Sequence, residues 1–139
     1  MRAVDGDCPL DHAAIPFIIM FSASTFFRSL RHAAHGVAGV ARQEQSFRIQ
    51  LAVGALVVAG MLILDLSALE RAFLVLAITL VLVLELVNSI FERVADLMKP
   101  RIHHYVADIK DIMAGSVLIA SIGSAIIGLL IFWPHLASL

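Results

Sequence analysis

The sequence predicts an all-α membrane protein with three transmembrane helices in a single domain. Its composition is 60% hydrophobic and only 15% charged, with a mean hydropathy of +0.95, whereas soluble domains are about 25% charged. Three apolar stretches approach or reach the roughly 20 residues that a helix needs to cross a bilayer. With 139 residues, the chain has room for one domain at most.

The predicted spans cover about residues 49–64, 72–91 and 112–133. The first is slightly short and can borrow residues from its flanks. Only the segment DLSALER separates the first span from the second, which predicts a tight helical hairpin. A longer, charged connection over residues 92–111 leads to the third span. In that span, small residues that favour close helix packing recur every four positions, at Ser116, Ala120, Ser124 and Gly128.

The first 25 residues form an N-terminal extension without an assigned role. Asp5, Asp7 and Asp11 outweigh Arg2 in its first part, which argues against a secretory signal because such signals begin with basic residues. The next, apolar stretch is broken by Pro16. We interpret this stretch as a membrane-surface helix or a poorly ordered lead, with a fourth span as the lesser alternative.

The basic residues predict the orientation of the spans. Lysine and arginine are enriched in cytoplasmic loops, and eight of the ten in this chain mark the same side of the predicted spans. That side should be the cytoplasm. The net charge of −1 gives no electrostatic argument for a nucleic-acid partner, and Cys8, as the only cysteine, excludes a disulfide or a CxxC pair within one chain.

One polar row interrupts the second span. In LELVNSIFERVAD, residues 84–96, the side chains of Glu85, Asn88, Glu92 and Asp96 share one helix face at about 100° per residue. Glu85 lies roughly 10 Å deeper than Glu92, where a carboxylate costs roughly 2.5 kcal/mol or more. The row should therefore face a protein-lined, wet or metal-containing cavity. Alternatively, these side chains could only bridge helices or solvate the end of the span. This structural role is a fair alternative for Glu92 and Asp96, but a weaker one for Glu85 with Asn88.

Two other polar groupings lie on the same predicted side. Glu44 and Arg48 precede the first span, and Lys110 and Asp111 open the third. Each alone could be an interfacial charge pair or a helix cap. Three helix ends that offer acids and bases at one depth predict a site for an anionic, metal-bound ligand, because carboxylates suit Mg²⁺ and basic side chains suit phosphates.

These residues resemble the prokaryotic diacylglycerol kinase family, whose Gram-positive branch phosphorylates undecaprenol. The matching pieces are HGVAGVARQEQSFRIQL, ELVNSIFERVAD and IKDIMAGSVLIA, of which the second carries the family pattern E-x-x-N-[ST]-x-x-E-x-x-x-D. The similarity runs from about residue 26 to 133 and implies a membrane lipid kinase domain over residues 26–139. Ile90 and Phe91 depart from the family, which usually has Ala and then Ile or Leu there.

The resemblance implies a homotrimer with three transmembrane helices and an N-terminal amphipathic surface helix per protomer, with sites shared between subunits. It also implies transfer of the γ-phosphate of MgATP to a membrane lipid alcohol at the cytoplasmic face of the bacterial inner membrane. By motif, Glu85 resembles the catalytic base and Asn88 the neighbour that orients the reacting groups. Glu44 and Glu92 resemble the Mg²⁺ ligands.

On the nucleotide side, Lys110 resembles the residue that grips the transferring phosphate, with Asp111 beside it and Asp96 near the nucleotide. The sequence does not decide between two lipid substrates. One is diacylglycerol, which would give phosphatidic acid, and the other is undecaprenol. The segment EQSFRIQ is closer to the undecaprenol branch, where E-x-N-F-R-I-H is common, whereas the family name and broad lipid tolerance favour diacylglycerol. A non-enzymatic helical membrane protein is the remoter alternative.

Overall fold

A computed structural model describes residues 23–98 and 103–137 of the chain. This part of the chain folds into four α-helices and no strand, namely α1 (Ala23–Gln43), α2 (Gln45–Ile63), α3 (Ala68–Met98) and α4 (His103–Ala137). The expected N-terminal extension lies outside the described residues except for its last three positions.

In the part of the chain that the structure describes, three helices are long and apolar enough to cross a membrane, which confirms the three predicted spans. They cover Gln45–Ile63, Ala68–Leu97 and Tyr105–Ala137. The alternative of a fourth span falls mostly outside the described residues. Because α3 has 31 residues and a helix rises about 1.5 Å per residue, it exceeds the roughly 30 Å hydrocarbon core. The charged connection expected over residues 92–111 is therefore mostly helical, since α3 and α4 continue beyond the bilayer.

The hairpin between α2 and α3 is closed by a capping box at Ser67, which immediately precedes α3. The Ser67 hydroxyl and backbone N–H both donate to Glu70 Oε2, at 2.7 and 2.8 Å, and the Glu70 N–H donates back to Ser67 Oγ at 3.3 Å. These bonds satisfy N–H groups that a helix start otherwise leaves unpaired. They explain why a four-residue connection is enough for the turn.

Packing centres on α3, which α4 covers most extensively and which α2 and α1 also contact. A Cβ atom on Gly54 would lie 3.2 Å from Ile78 Cγ2, and one on Gly60 would lie 3.1 Å from the Phe132 ring. These two glycines therefore permit close approach between helices. In the small-residue row of α4, Ser124 Oγ donates to the backbone carbonyl of α3 at 3.4 Å, but a Cβ on Gly128 would have no neighbour within 4 Å.

The first helix is amphipathic. Its cationic and imidazole side chains lie on one face at about 100° per residue, at Arg28, Arg31, His32, His35 and Arg42, and it contains no acidic residue. Large apolar side chains such as Phe26 and Leu30 are exposed on its other side. This pattern is typical of helices that lie in the plane of a membrane interface.

Candidate functional site

The inner face of α3 buries two polar side chains in an otherwise apolar interior. Glu85 is 4% exposed and Ser89 is 2% exposed, and they are the only buried polar residues within the described part of the chain. The surrounding run of leucine and valine without glycine or proline keeps α3 helical through this depth. A buried carboxylate is costly in such a setting unless it has a function or a partner.

Two further carboxylates act on Glu85 electrostatically. Glu44 occupies the break between α1 and α2 with an extended backbone, and its side chain does not cap α2. Both Glu44 and Glu92 lie close enough to Glu85 to interact with it electrostatically. Residues from two helix ends and from the interior of α3 thus form one acidic cluster.

Asn88 contributes an unpaired acceptor beside this cluster. Its Nδ2 donates to Glu92 Oε1 at 3.3 Å, whereas its Oδ1 is buried and has no hydrogen-bond partner among the described residues. Leaving a buried acceptor unsatisfied costs about 1–3 kcal/mol. The Asn88 carbonyl oxygen is therefore available to a substrate hydroxyl or a cation.

Lys110, which the sequence placed at the start of the third span, lies about two turns inside α4 in the structure and faces back to α3. Lys110 Nζ lies 3.8 Å from Asp96 Oδ1, and the two side chains are 33% and 54% exposed. Asp111, which the sequence placed beside Lys110, is exposed, and the described residues give it no ion pair. The structure therefore brings Lys110 and Asp96 together and leaves Asp111 on the surface.

Arg48 does not pair with Glu44 within the described structure, although the two are four residues apart. Its Nη1 donates instead to the carbonyl oxygen of Arg42 at 3.2 Å, where a cation interacts favourably with the end of α1. Arg93 Nη2 donates to Gln43 Oε1 at 3.0 Å. This second bond ties the α1–α2 break to α3 and so holds Glu44 near the acidic row.

A groove of about 380 Å³ lies between α2, α3 and α4, and Val81 in its wall is one helical turn from Glu85. Most of its lining is apolar, but Gln50 Nε2 donates to Ser121 Oγ at 3.1 Å across it. Sequence reasoning did not single out either residue. The signal that was present is Gln50 itself, an amide placed inside an apolar span.

The donor set fits Mg²⁺. No group of three or more His, Cys, Asp or Glu side chains in the described ranges is arranged to hold a metal ion. Mg²⁺ is usually bound by one or two carboxylates with water and substrate phosphates, rather than by a cage made of protein alone. Glu44, Glu92 and the free oxygen of Asn88 offer only hard oxygen donors, as this ion requires.

Fold and site together define a small helical membrane protein whose acidic and basic groups gather where helix ends meet on one side of the bilayer. The family model for prokaryotic diacylglycerol kinase matches residues 31–132. The chain belongs to this family.

Individual relatives carry two different names. The chain is 36% identical to undecaprenol kinase of Bacillus subtilis over 111 residues, which are 80% of this chain and 90% of that protein. It is 38% identical to diacylglycerol kinase of Synechocystis sp. over 112 residues, 80% of this chain and 64% of that protein. It is also 33% identical to diacylglycerol kinase of Escherichia coli K12 over 72 residues, 52% of this chain and 59% of that one. The family therefore points to a lipid kinase.

Proposed function

We propose that this protein is an ATP-dependent lipid kinase that transfers the γ-phosphate of MgATP to the hydroxyl of a membrane lipid alcohol. The observation that carries the proposal is Glu85, a buried carboxylate that lies near two other acids and one helical turn from an apolar groove. Membership of a lipid kinase family supports the same reaction. Diacylglycerol, giving phosphatidic acid, is the substrate we favour.

In this proposal Glu85 acts as the general base. The lipid oxygen attacks the γ-phosphorus, the bond from that phosphorus to the bridging oxygen of ADP breaks, and the hydroxyl proton passes to the Glu85 carboxylate. A base positioned in this way contributes typically about 10²- to 10⁴-fold. Asn88 would orient the reacting groups from beside the base, because its Nδ2 holds Glu92 and its free carbonyl oxygen could serve a bound cation, which leaves the single hydroxyl proton to Glu85. Direct attack leaves no phosphorylated form of the enzyme.

The remaining charged residues would hold the nucleotide. Glu44 and Glu92 would bind Mg²⁺, which supplies charge neutralisation at the phosphates as the bond to ADP loosens. Lys110 would move from Asp96 to the γ-phosphate, since an ammonium is a strong phosphate partner. Asp111 is exposed beside Lys110, at the end of the site that opens toward the aqueous phase, where the nucleotide would enter.

We expect a homotrimer with sites shared between subunits, on the cytoplasmic side of the bacterial inner membrane. The outward face of α3 carries apolar residues at alternating steps of four and three, a spacing typical of helices that pack against copies of themselves, at Leu69, Phe73, Leu76, Leu80, Val83, Val87, Ile90, Val94 and Leu97. Leu97, at the end of this face, is 83% exposed. Native mass measurement of the detergent-solubilised protein tests the subunit number.

Undecaprenol is the second candidate substrate. The Bacillus subtilis relative of that name is matched over 90% of its length, and the chemistry at Glu85 is the same for any primary alcohol. The two candidates differ only in the part of the molecule attached to the reacting hydroxyl: glycerol esters in one lipid and an isoprenoid hydrocarbon in the other.

The test is a phosphotransfer assay with purified protein, γ-labelled ATP, Mg²⁺ and each lipid in the same detergent. Glu85→Gln should lose at least about 100-fold in turnover while it keeps its assembly state, because the substitution preserves size and removes only the base. Glu70→Gln is the matched control, since Glu70 lies at the opposite end of α3. Near-normal turnover of Glu85→Gln would refute the assigned role, and absence of product with every lipid alcohol would refute the proposed function.

A further inference from the structure

The groove between α2, α3 and α4 lies directly below the candidate base. Val81 lines its wall and lies four residues from Glu85 on the same face of α3, about 6 Å deeper at 1.5 Å per residue. The lining continues past Leu74 to Phe132, toward the opposite side of the bilayer. A lipid with its hydroxyl at Glu85 would therefore place its adjoining atoms in this groove.

A polar pair stands at the entrance to the apolar part. Ser124 contacts the carbonyl of Ala77, and α3 and α4 run antiparallel, so Ser121 lies about one turn nearer to Glu85, level with Val81. Gln50 reaches Ser121 from α2 at 3.1 Å. The pair thus separates the acidic cluster from the hydrocarbon-lined remainder of the groove.

The hydrogen-bonding capacity of this pair is only partly used. The bond between them takes one amide N–H of Gln50 and one lone pair of Ser121 Oγ. The second amide N–H of Gln50 and the hydroxyl hydrogen of Ser121 have no partner among the described residues. The pair therefore offers two donors that an ester carbonyl could accept from, and the Gln50 amide oxygen, which has no partner among the described residues either, adds one acceptor.

We propose that Gln50 and Ser121 are specificity-determining residues that donate to an ester carbonyl of the lipid substrate. This inference rests on the proposed function and names its substrate class: a diacylated glycerol rather than a polyisoprenoid alcohol. The ester carbonyls of a diacylglycerol lie a few bonds from its free hydroxyl and are acceptor-only groups. An isoprenoid chain at the same place offers no acceptor and leaves both donors unpaired.

The size of the effect is set by this difference. Sites that hydrogen-bond a substrate group discriminate against analogues that lack it, because the polar groups of the site lose their partner. A neutral hydrogen bond of ordinary strength corresponds to about a tenfold preference in kcat/KM, and this is the effect we expect.

The sharpest probe is a pair of lipids that differ only in the carbonyls. The purified full-length protein is assayed with a 1,2-diacylglycerol, with the 1,2-dialkylglycerol ether of equal chain length, and with undecaprenol, all in one detergent. The wild-type protein should use the diester about tenfold better than the diether. Gln50→Leu combined with Ser121→Ala should abolish this preference, whereas Thr79→Val should keep it, because the Thr79 hydroxyl donates to its own helix at Val75.

Each outcome bears on one of the two proposals. Equal use of diester and diether by the wild-type protein, or a preference for undecaprenol over the diester, overturns the carbonyl inference and leaves the lipid kinase standing. No phosphorylation of any of the three lipids overturns the proposed function itself. The comparison of the diester with the diether uses only the wild-type protein. It therefore tests the inference even if the double variant does not fold.

Discussion

The ion pair between Lys110 and Asp96 predicts an unusual result for Asp96→Asn. If Lys110 must leave Asp96 to reach the γ-phosphate, removing the charge of Asp96 makes this exchange easier. The apparent KM for ATP should therefore fall. A direct contact between Asp96 and the nucleotide, as the family resemblance implies, predicts the opposite sign.

The structure sets the magnitude of this effect. At 3.8 Å, with the side chains 33% and 54% exposed, the pair lies in the range where exposed ion pairs contribute about 1 kcal/mol or less. Because about 1.4 kcal/mol corresponds to a factor of ten, the KM should fall by no more than about fivefold. The free energy of unfolding should change by no more than about 1 kcal/mol for the same reason.

Steady-state kinetics over a range of ATP concentrations, at a saturating concentration of lipid, show whether the KM for ATP falls or rises. Lys110→Met should lose about 10² or more in turnover, as expected when a charge that stabilises the transition state is removed. Asp108→Asn is the control, because Asp108 is an exposed acid on the same helix and its removal reports any general effect of charge. A raised KM for Asp96→Asn with unchanged KM for Asp108→Asn would show that our account of Lys110 is wrong.

Two further predictions concern the stability of the helical unit. Ser67→Ala removes the capping box of α3 and should lower the free energy of unfolding by about 0.5–2 kcal/mol, measured by thermal unfolding in detergent. Turnover should not change, because the cap lies far from the acids. An equal loss of stability in the control variant Thr79→Val would contradict this prediction. Gly60→Val should cost about 1–3 kcal/mol, since its side chain would overlap the Phe132 ring, and Phe132→Leu should recover part of the loss; no recovery would place the strain elsewhere.

The sequence was sufficient for the spans and for the acidic row of α3. Both depend on one helix at a time, because apolar length identifies a span and a fixed angle per residue places Glu85, Asn88 and Glu92 on one face. The sequence also places Glu44 at the depth of the other charged helix ends, and its part in the site, of its own subunit or of the neighbouring one, stays a prediction. The burial of Glu85 at 4% exposure agrees with the expectation that such a carboxylate turns inward.

The partners of long side chains could not be read from spacing. Arg48 is four residues from Glu44, which suggested an ion pair, but it bonds to the end of α1 instead. Lys110 meets Asp96 and Gln50 meets Ser121 across pairs of helices whose register depends on close packing at positions such as Gly54. The spacing of residues along one helix does not predict how that helix is aligned against its neighbours.

The two polar features of the site differ in kind, and their depth explains the difference. Glu44, Glu92 and Lys110 lie toward the helix ends, where water and a charged nucleotide can reach them. Glu85 is the one charged group of the site that is buried in the described interior of α3. Gln50 and Ser121 lie about one turn deeper than Glu85, where a charge would be costly but neutral donors that bond to each other are accommodated. Chemistry common to all lipid alcohols can therefore be carried by charged residues at or above the level of Glu85. Selection among those alcohols can be made only by neutral groups below it, because the alcohols differ only in the part that enters the bilayer.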